Sequence, residues 1–88
     1  MKNIYNNLGI ALGSQGNFIE AITVFNLAVQ IDPSEPTSHQ NLGVAFWSQG
    51  RLPEALASLQ RAKKLYASQN KPVEMQQVEQ IIQQVRSR

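Results

Sequence analysis

The chain has 88 residues, no cysteine and a single histidine, His39, which excludes a disulfide scaffold, a thiol nucleophile and a metal site built on cysteines or several histidines. Charged residues make up 16%, and eight basic against six acidic side chains leave a net charge of +2, too small to point to nucleic acid. Amides stand where charges usually would, with 11 Gln and 7 Asn.

The first predicted element is a helix over about residues 2–15, where Leu8, Ala11 and Leu12 recur at helical spacing. Gly16 ends it, because glycine takes the left-handed conformation after a helix C-terminus at little cost. Gly13 weakens it by up to ~1 kcal/mol relative to alanine. A second helix begins near Phe18 and puts Ile22, Phe25, Ala28, Val29 and Ile31 on one apolar face. Asp32-Pro33-Ser34-Glu35-Pro36 is the clearest break in the chain. Pro36 suits the first turn of a third helix, where its missing N–H is no loss. That helix repeats the spacing of the first with Leu42, Ala45 and Phe46, and Gly50 ends it. A fourth helix opens near Leu52 with Pro53 in its first turn, and aligns Leu56, Leu59, Ala62 and Leu65. After a turn ending at Pro72, Val78, Ile81, Ile82 and Val85 fall at i, i+3, i+4 and i+7 of a fifth amphipathic helix. Its other face is Gln76, Gln77, Gln80, Gln83, Gln84 and Arg86, the polar exterior expected of a helix that closes a stack.

The first four helices are two copies of one unit. Shifting the chain by 34 residues gives 11 identities over positions 2–35 without a gap. Asn7-Leu8-Gly9 falls on Asn41-Leu42-Gly43, Ser14-Gln15-Gly16 on Ser48-Gln49-Gly50, and Glu20-Ala21 on Glu54-Ala55. Ala11, Ala28 and Ser34 fall on Ala45, Ala62 and Ser68.

This unit resembles the tetratricopeptide repeat (TPR), a 34-residue helix–turn–helix with small and aromatic residues at set places. Repeat one supplies Tyr5, Leu8, Gly9, Leu12, Gly16, Ala21, Phe25, Ala28 and Pro33; repeat two supplies His39, Leu42, Gly43, Phe46, Gly50, Ala55, Leu59 and Ala62. His39 replaces the usual aromatic, and is expected to pack beside neighbouring helices rather than hold a metal. Ala67 replaces the final proline, so the fourth helix is expected to run to about residues 66–68. The resemblance implies one all-α domain over 1–88, a right-handed α-solenoid of two helix–turn–helix repeats (2–35 and 36–69) with a C-terminal capping helix (71–88).

The resemblance also implies a non-catalytic protein–protein interaction module. In the family the first helix of each pair lines a groove that takes an extended peptide or a partner helix. By position the peptide-binding residues are Asn3, Asn6, Asn7 and Ile10 in repeat one, and Gln40, Asn41, Val44 and Trp47 in repeat two. Asn7 and Asn41 lie one period apart; each either bonds the backbone of a bound peptide with its donors and acceptor or braces the adjacent turn. Trp47 stands where repeat one has Gly13. It either offers an aromatic contact to a ligand or packs against the capping helix. One subclass clamps a partner's terminal carboxylate at places held here by Asn6, Ile10, Asn41, Lys71 and Met75. Only Asn41 and Lys71 agree with it, so that ligand class is excluded.

No phosphate loop, H-E-x-x-H or G-x-S-x-G occurs, and the reading includes no cofactor, metal or enzyme activity. Glu20 and Glu54 recur near the positive end of a helix dipole, which accounts for them without chemistry. Arg61, Lys63 and Lys64 are expected on a solvated face away from the groove. No run reaches the ~18 apolar residues of a membrane span, and Met1-Lys2-Asn3 lacks the apolar core of a signal peptide. A soluble, cytoplasmic chain is expected, with a protein or peptide as partner and neither nucleic acid nor membrane. The rival expectation is a self-assembling homo-oligomer, because Ile4, Ile10 and Leu12 on the first helix have little to cover them.

Overall fold

A computed structural model describes residues 3–87. Lys2, the expected start of repeat one, and Arg88, the expected end of the capping segment, lie outside the described residues, as does Met1. The described residues form five helices and no strand: α1 (Ile4–Ser14), α2 (Phe18–Ile31), α3 (Pro36–Ser48), α4 (Leu52–Ser68) and α5 (Pro72–Arg86). Each helix packs on the next in chain order, and α1 also touches α3. The stack measures 36 × 29 × 17 Å.

Local chemistry sets the helix ends. Asn3 caps α1, its Oδ1 accepting from the Tyr5 N–H at 3.1 Å. Prolines occupy the first turns of α3, α4 and α5. Three of the four turns are built alike. Gly16 and Gly50 take φ of +81° and +73°, and Asn70 takes +57° at the equivalent place after α4. In each, two backbone N–H groups reach back into the preceding helix: Gly16 to Gly13 and Asn17 to Leu12, Gly50 to Trp47 and Arg51 to Phe46, Asn70 to Ala67 and Lys71 to Tyr66. These are Schellman closures, which satisfy the last carbonyls of a helix. The third one repeats the Ser-Gln lead-in as Ser68-Gln69-Asn70, but 20 residues after the second instead of 34. The turn begins after Ser68, within the range expected for the end of α4.

Two positions allow the helices of each pair to approach. A Cβ on Gly9 would fall on the Phe25 ring, and one on Gly43 would lie 2.7 Å from Leu59 Cγ. The core divides in two. One cluster joins Ala21, Ile22 and Phe25 to Leu42, Ala45, Phe46 and Ala55. The other joins Leu59, Ala62 and Tyr66 to Val78, Ile82 and Val85. Trp47 is half-buried and packs against both.

The two pairs differ in what covers them. Leu42 on α3 is 6% exposed, whereas Leu8, its counterpart on α1, is 49% exposed. Ile4 is 68% exposed on the same helix. α3 meets α2 on that side; among the described residues α1 has no neighbour there.

Candidate functional site

The side chains that face out between α1 and α3 make one continuous surface. Its centre is a cleft of about 330 Å³. Phe18, Ala21 and Phe25 of α2 form the apolar floor. Ile10, Gly13 and Ser14 make one wall; Gln40, Asn41, Val44 and Ser48 make the other. No ionisable side chain lines it. The helical period explains the arrangement: Ile10, Gly13 and Ser14 are three or four residues apart, as are Gln40, Asn41, Val44 and Ser48, so each set shares a face. Gly13 leaves its place open, the nearest atom to a Cβ there being Phe18 Cε1 at 3.9 Å.

The cleft continues into a second hollow of about 230 Å³ at the start of the two helices. Asn3, Asn6, Asn7, Thr37 and Glu35 line it, and Ile10 and Asn41 belong to both hollows. Seven of the eight expected site residues thus come together: Asn3, Asn6, Asn7, Ile10, Gln40, Asn41 and Val44. Trp47 does not join them, because its indole turns into the space between the two core clusters. Of the two expectations for Trp47, packing against the capping helix fits its place, since Val78, Ile82 and Val85 of α5 belong to one of the clusters it touches.

The amides are not equally available. Asn3 is engaged at both ends, with Nδ2 donating to the Ala28 carbonyl at 2.9 Å and Oδ1 capping α1. Asn6 is buried and donates to Ser38 Oγ at 2.9 Å, which ties α1 to α3. Asn41 Nδ2 reaches Asn6 Oδ1 only at 3.5 Å. Gln40 Oε1 accepts from the Tyr66 hydroxyl at 2.9 Å. Asn7 is exposed and makes no side-chain hydrogen bond within the described residues. Asn7 and Asn41 are therefore the amides with most capacity left, and Asn3 and Asn6 act mainly as internal braces. Besides the floor residues Phe18, Ala21 and Phe25, Glu35 and Ser38 are not singled out by the repeat register. Proximity to the α1 asparagines, visible only in three dimensions, gives them their place.

His39 is buried, and its Nε2–H donates to the Pro33 carbonyl at 2.9 Å. This bond fastens the α2–α3 turn to α3, as the packing role requires. On the far side, Lys63 is paired rather than simply solvated: Nζ lies 2.7 Å from Glu79 Oε1, joining α4 to α5. The hydrogen bond from Lys63, then that from Gln83, holds the Glu79 carboxyl below the ordinary carboxylate range. Val78, on the apolar stripe of α5, is fully buried against α4. No helix among the described residues is long and apolar enough to cross a membrane.

A search of curated proteins finds no match to this sequence. A family model does match: that of the tetratricopeptide repeat, over residues 2–68. With two 34-residue helix pairs, glycine-permitted contacts and a match over most of its length, the chain belongs to the tetratricopeptide repeat family.

Proposed function

We propose that the chain is a non-catalytic module that binds an extended peptide or a partner helix of another protein on the face shared by α1 and α3. Repeats of this family mediate protein–protein interaction. The observation that carries the finer reading is the cleft itself, an uncharged apolar hollow with the amide of Asn41 on its wall and that of Asn7 in the adjoining hollow, both able to bond a peptide backbone. The same reading takes the chain as one unit, with repeats 2–35 and 36–69 and a cap at 71–88, working in the cytoplasm. A peptide-library pull-down tests it. Asn7→Ala, Asn41→Ala and Val44→Asp change exposed or half-buried groups and should keep the helical circular-dichroism spectrum. Each should reduce recovery of the enriched peptides at least several-fold. Recovery equal to wild type by all three would remove the site from this face.

A second reading rests on the side of α1 that no helix among the described residues covers. Ile4, Leu8 and Ala11 are exposed there, whereas Leu12, expected to be bare, packs against the first core cluster and Ile10 lines the cleft; α1 carries no charged residue. Across a two-fold axis like meets like, so an uncharged face can meet its own copy without repulsion. Self-association through this side predicts a mass that rises with concentration in light scattering, and Leu8→Glu should return it to the monomer value. A constant monomer mass sinks this reading.

A further inference from the structure

The stack has two intervals related by the 34-residue register, one between α1 and α3 and one between α3 and α5, and an indole fills only the second. Between α3 and α5, over α4, Trp47, Leu52 and Met75 pack against the cluster that holds the buried Leu59, Val78 and Ile82. Subtracting one period from that set gives Gly13, Phe18, Asn41, Phe25, Val44 and Ser48, all lining the open cleft between α1 and α3. In the filled interval an indole sits where the open one has the bare Gly13. The chain thus contains its own precedent for the group that fits such a space.

Charge argues the rest. The cleft has no ionisable lining, so a charged guest group would lose hydration there without a partner. Its volume lies at the low end of the ~300–1,000 Å³ of ligand pockets, enough for one large side chain and not for a whole helix face. The adjoining hollow contains a single charged residue, Glu35, which forms no ion pair among the described residues. Glu35 precedes Asn41 and Val44 by six and nine positions, about 9–13 Å along α3 at ~1.5 Å per residue. An extended peptide spans that distance in about three or four residues at ~3.3 Å each.

Resting on the groove reading above, we propose that the α1–α3 cleft is a socket for one large apolar side chain, preferably aromatic, of an extended partner segment that presents a lysine or arginine to Glu35 three or four residues away. The aromatic group takes the place that Trp47 takes in the other interval. The cation supplies orientation and an association rate that falls with salt.

The probe is a set of fluorescein-labelled, N-acetylated and C-amidated ten-residue peptides of alanine and serine. Each holds one tryptophan and one arginine at spacings of three or four in either order, with controls carrying alanine for tryptophan or glutamate for arginine. Fluorescence anisotropy reads binding. The tryptophan control should bind at least tenfold more weakly, and the glutamate control at least threefold more weakly at low salt. Gly13→Leu fills the socket from within and removes a helix-weakening glycine, so it should keep or raise the melting temperature and weaken binding at least tenfold. Glu35→Gln should abolish the preference for arginine over glutamate while keeping the preference for tryptophan. Unchanged binding by Gly13→Leu, equal binding of the tryptophan and alanine peptides, or no binding by any peptide of the set overturns the proposal. Library peptides that depend on Asn7, Asn41 and Val44 but not on Gly13 or Glu35 would overturn it and leave the groove reading standing. Loss of that dependence too would remove both.

Discussion

Two glycines one helical turn apart on α1 have opposite roles. Gly9 is where the Phe25 ring presses against the backbone, so a methyl group has no space; Gly13 faces an open cleft. Overpacking typically costs ~1–3 kcal/mol, and replacing glycine by alanine within a helix returns ~0.5–1 kcal/mol. Gly9→Ala should therefore destabilise the protein by about 1–2 kcal/mol, and Gly13→Ala should stabilise it by about 0.5–1 kcal/mol. Urea unfolding of both variants decides it; equal signs would mean that Phe25 moves aside freely. The small residue at Gly9 was legible from the repeat alone, because Gly43 shares its register. The inward turn of Asn6 was not. A register position names a helix face, but the bond to Ser38 Oγ depends on the side chain that the neighbouring helix happens to bring there.

Among the elements, the turns carry the most transferable rule. Gly16, Gly50 and Asn70 all adopt positive φ to close a helix. Asparagine tolerates this conformation and branched residues do not. Asn70→Gly should change stability by less than about 0.5 kcal/mol, whereas Asn70→Val should lose at least about 1 kcal/mol, by urea unfolding. The third closure escaped the repeat analysis because it breaks the 34-residue spacing and uses asparagine, even though Ser68-Gln69 repeats the earlier lead-in. α4 and α5 are also joined by Lys63 and Glu79. A carboxyl held below its unfolded value stabilises the folded state above that value, and the contribution disappears as pH falls through the folded one. Wild type should accordingly lose part of its stability as pH drops below about 4.3, the ordinary glutamate value. Glu79→Gln should flatten that part of the profile. An unchanged acid limb in the variant would show that the bridge contributes nothing measurable, as many exposed pairs do.

For the molecule as a whole, Trp47 is the connection between its two cores. A stack in which each helix meets mainly its neighbours is close to one-dimensional, and its cooperativity depends on the contacts between units. Trp47 touches both clusters. Its fluorescence and the far-UV circular dichroism should follow one shared urea transition in the wild type. Trp47→Ala should lower stability by about 2 kcal/mol, less than the ~3–5 kcal/mol of a fully buried aromatic, and broaden the transition as the clusters separate. A circular-dichroism transition as steep in the variant as in the wild type would place the coupling elsewhere. The order of helices and the apolar stripe of α5 were readable from periodicity. The division into two clusters was not, because it is decided by where one long side chain comes to rest.

Among the described residues, α1 is the less supported wall of the cleft. One wall of the hollow, α3, is held between α2 and α4, whereas the other, α1, leans on α2 and touches α3 sparingly. Helices with fewer neighbours open locally before the rest of a protein does, and their amide hydrogens exchange with solvent sooner. Anything seated in the cleft must leave before α1 can swing away, so occupancy and opening compete in a single equilibrium. A guest at one hundred times its dissociation constant should slow exchange along α1 about a hundredfold and leave α4 and α5 nearly untouched. The first helix would then serve as a latch whose rate of lifting counts how often the groove is full.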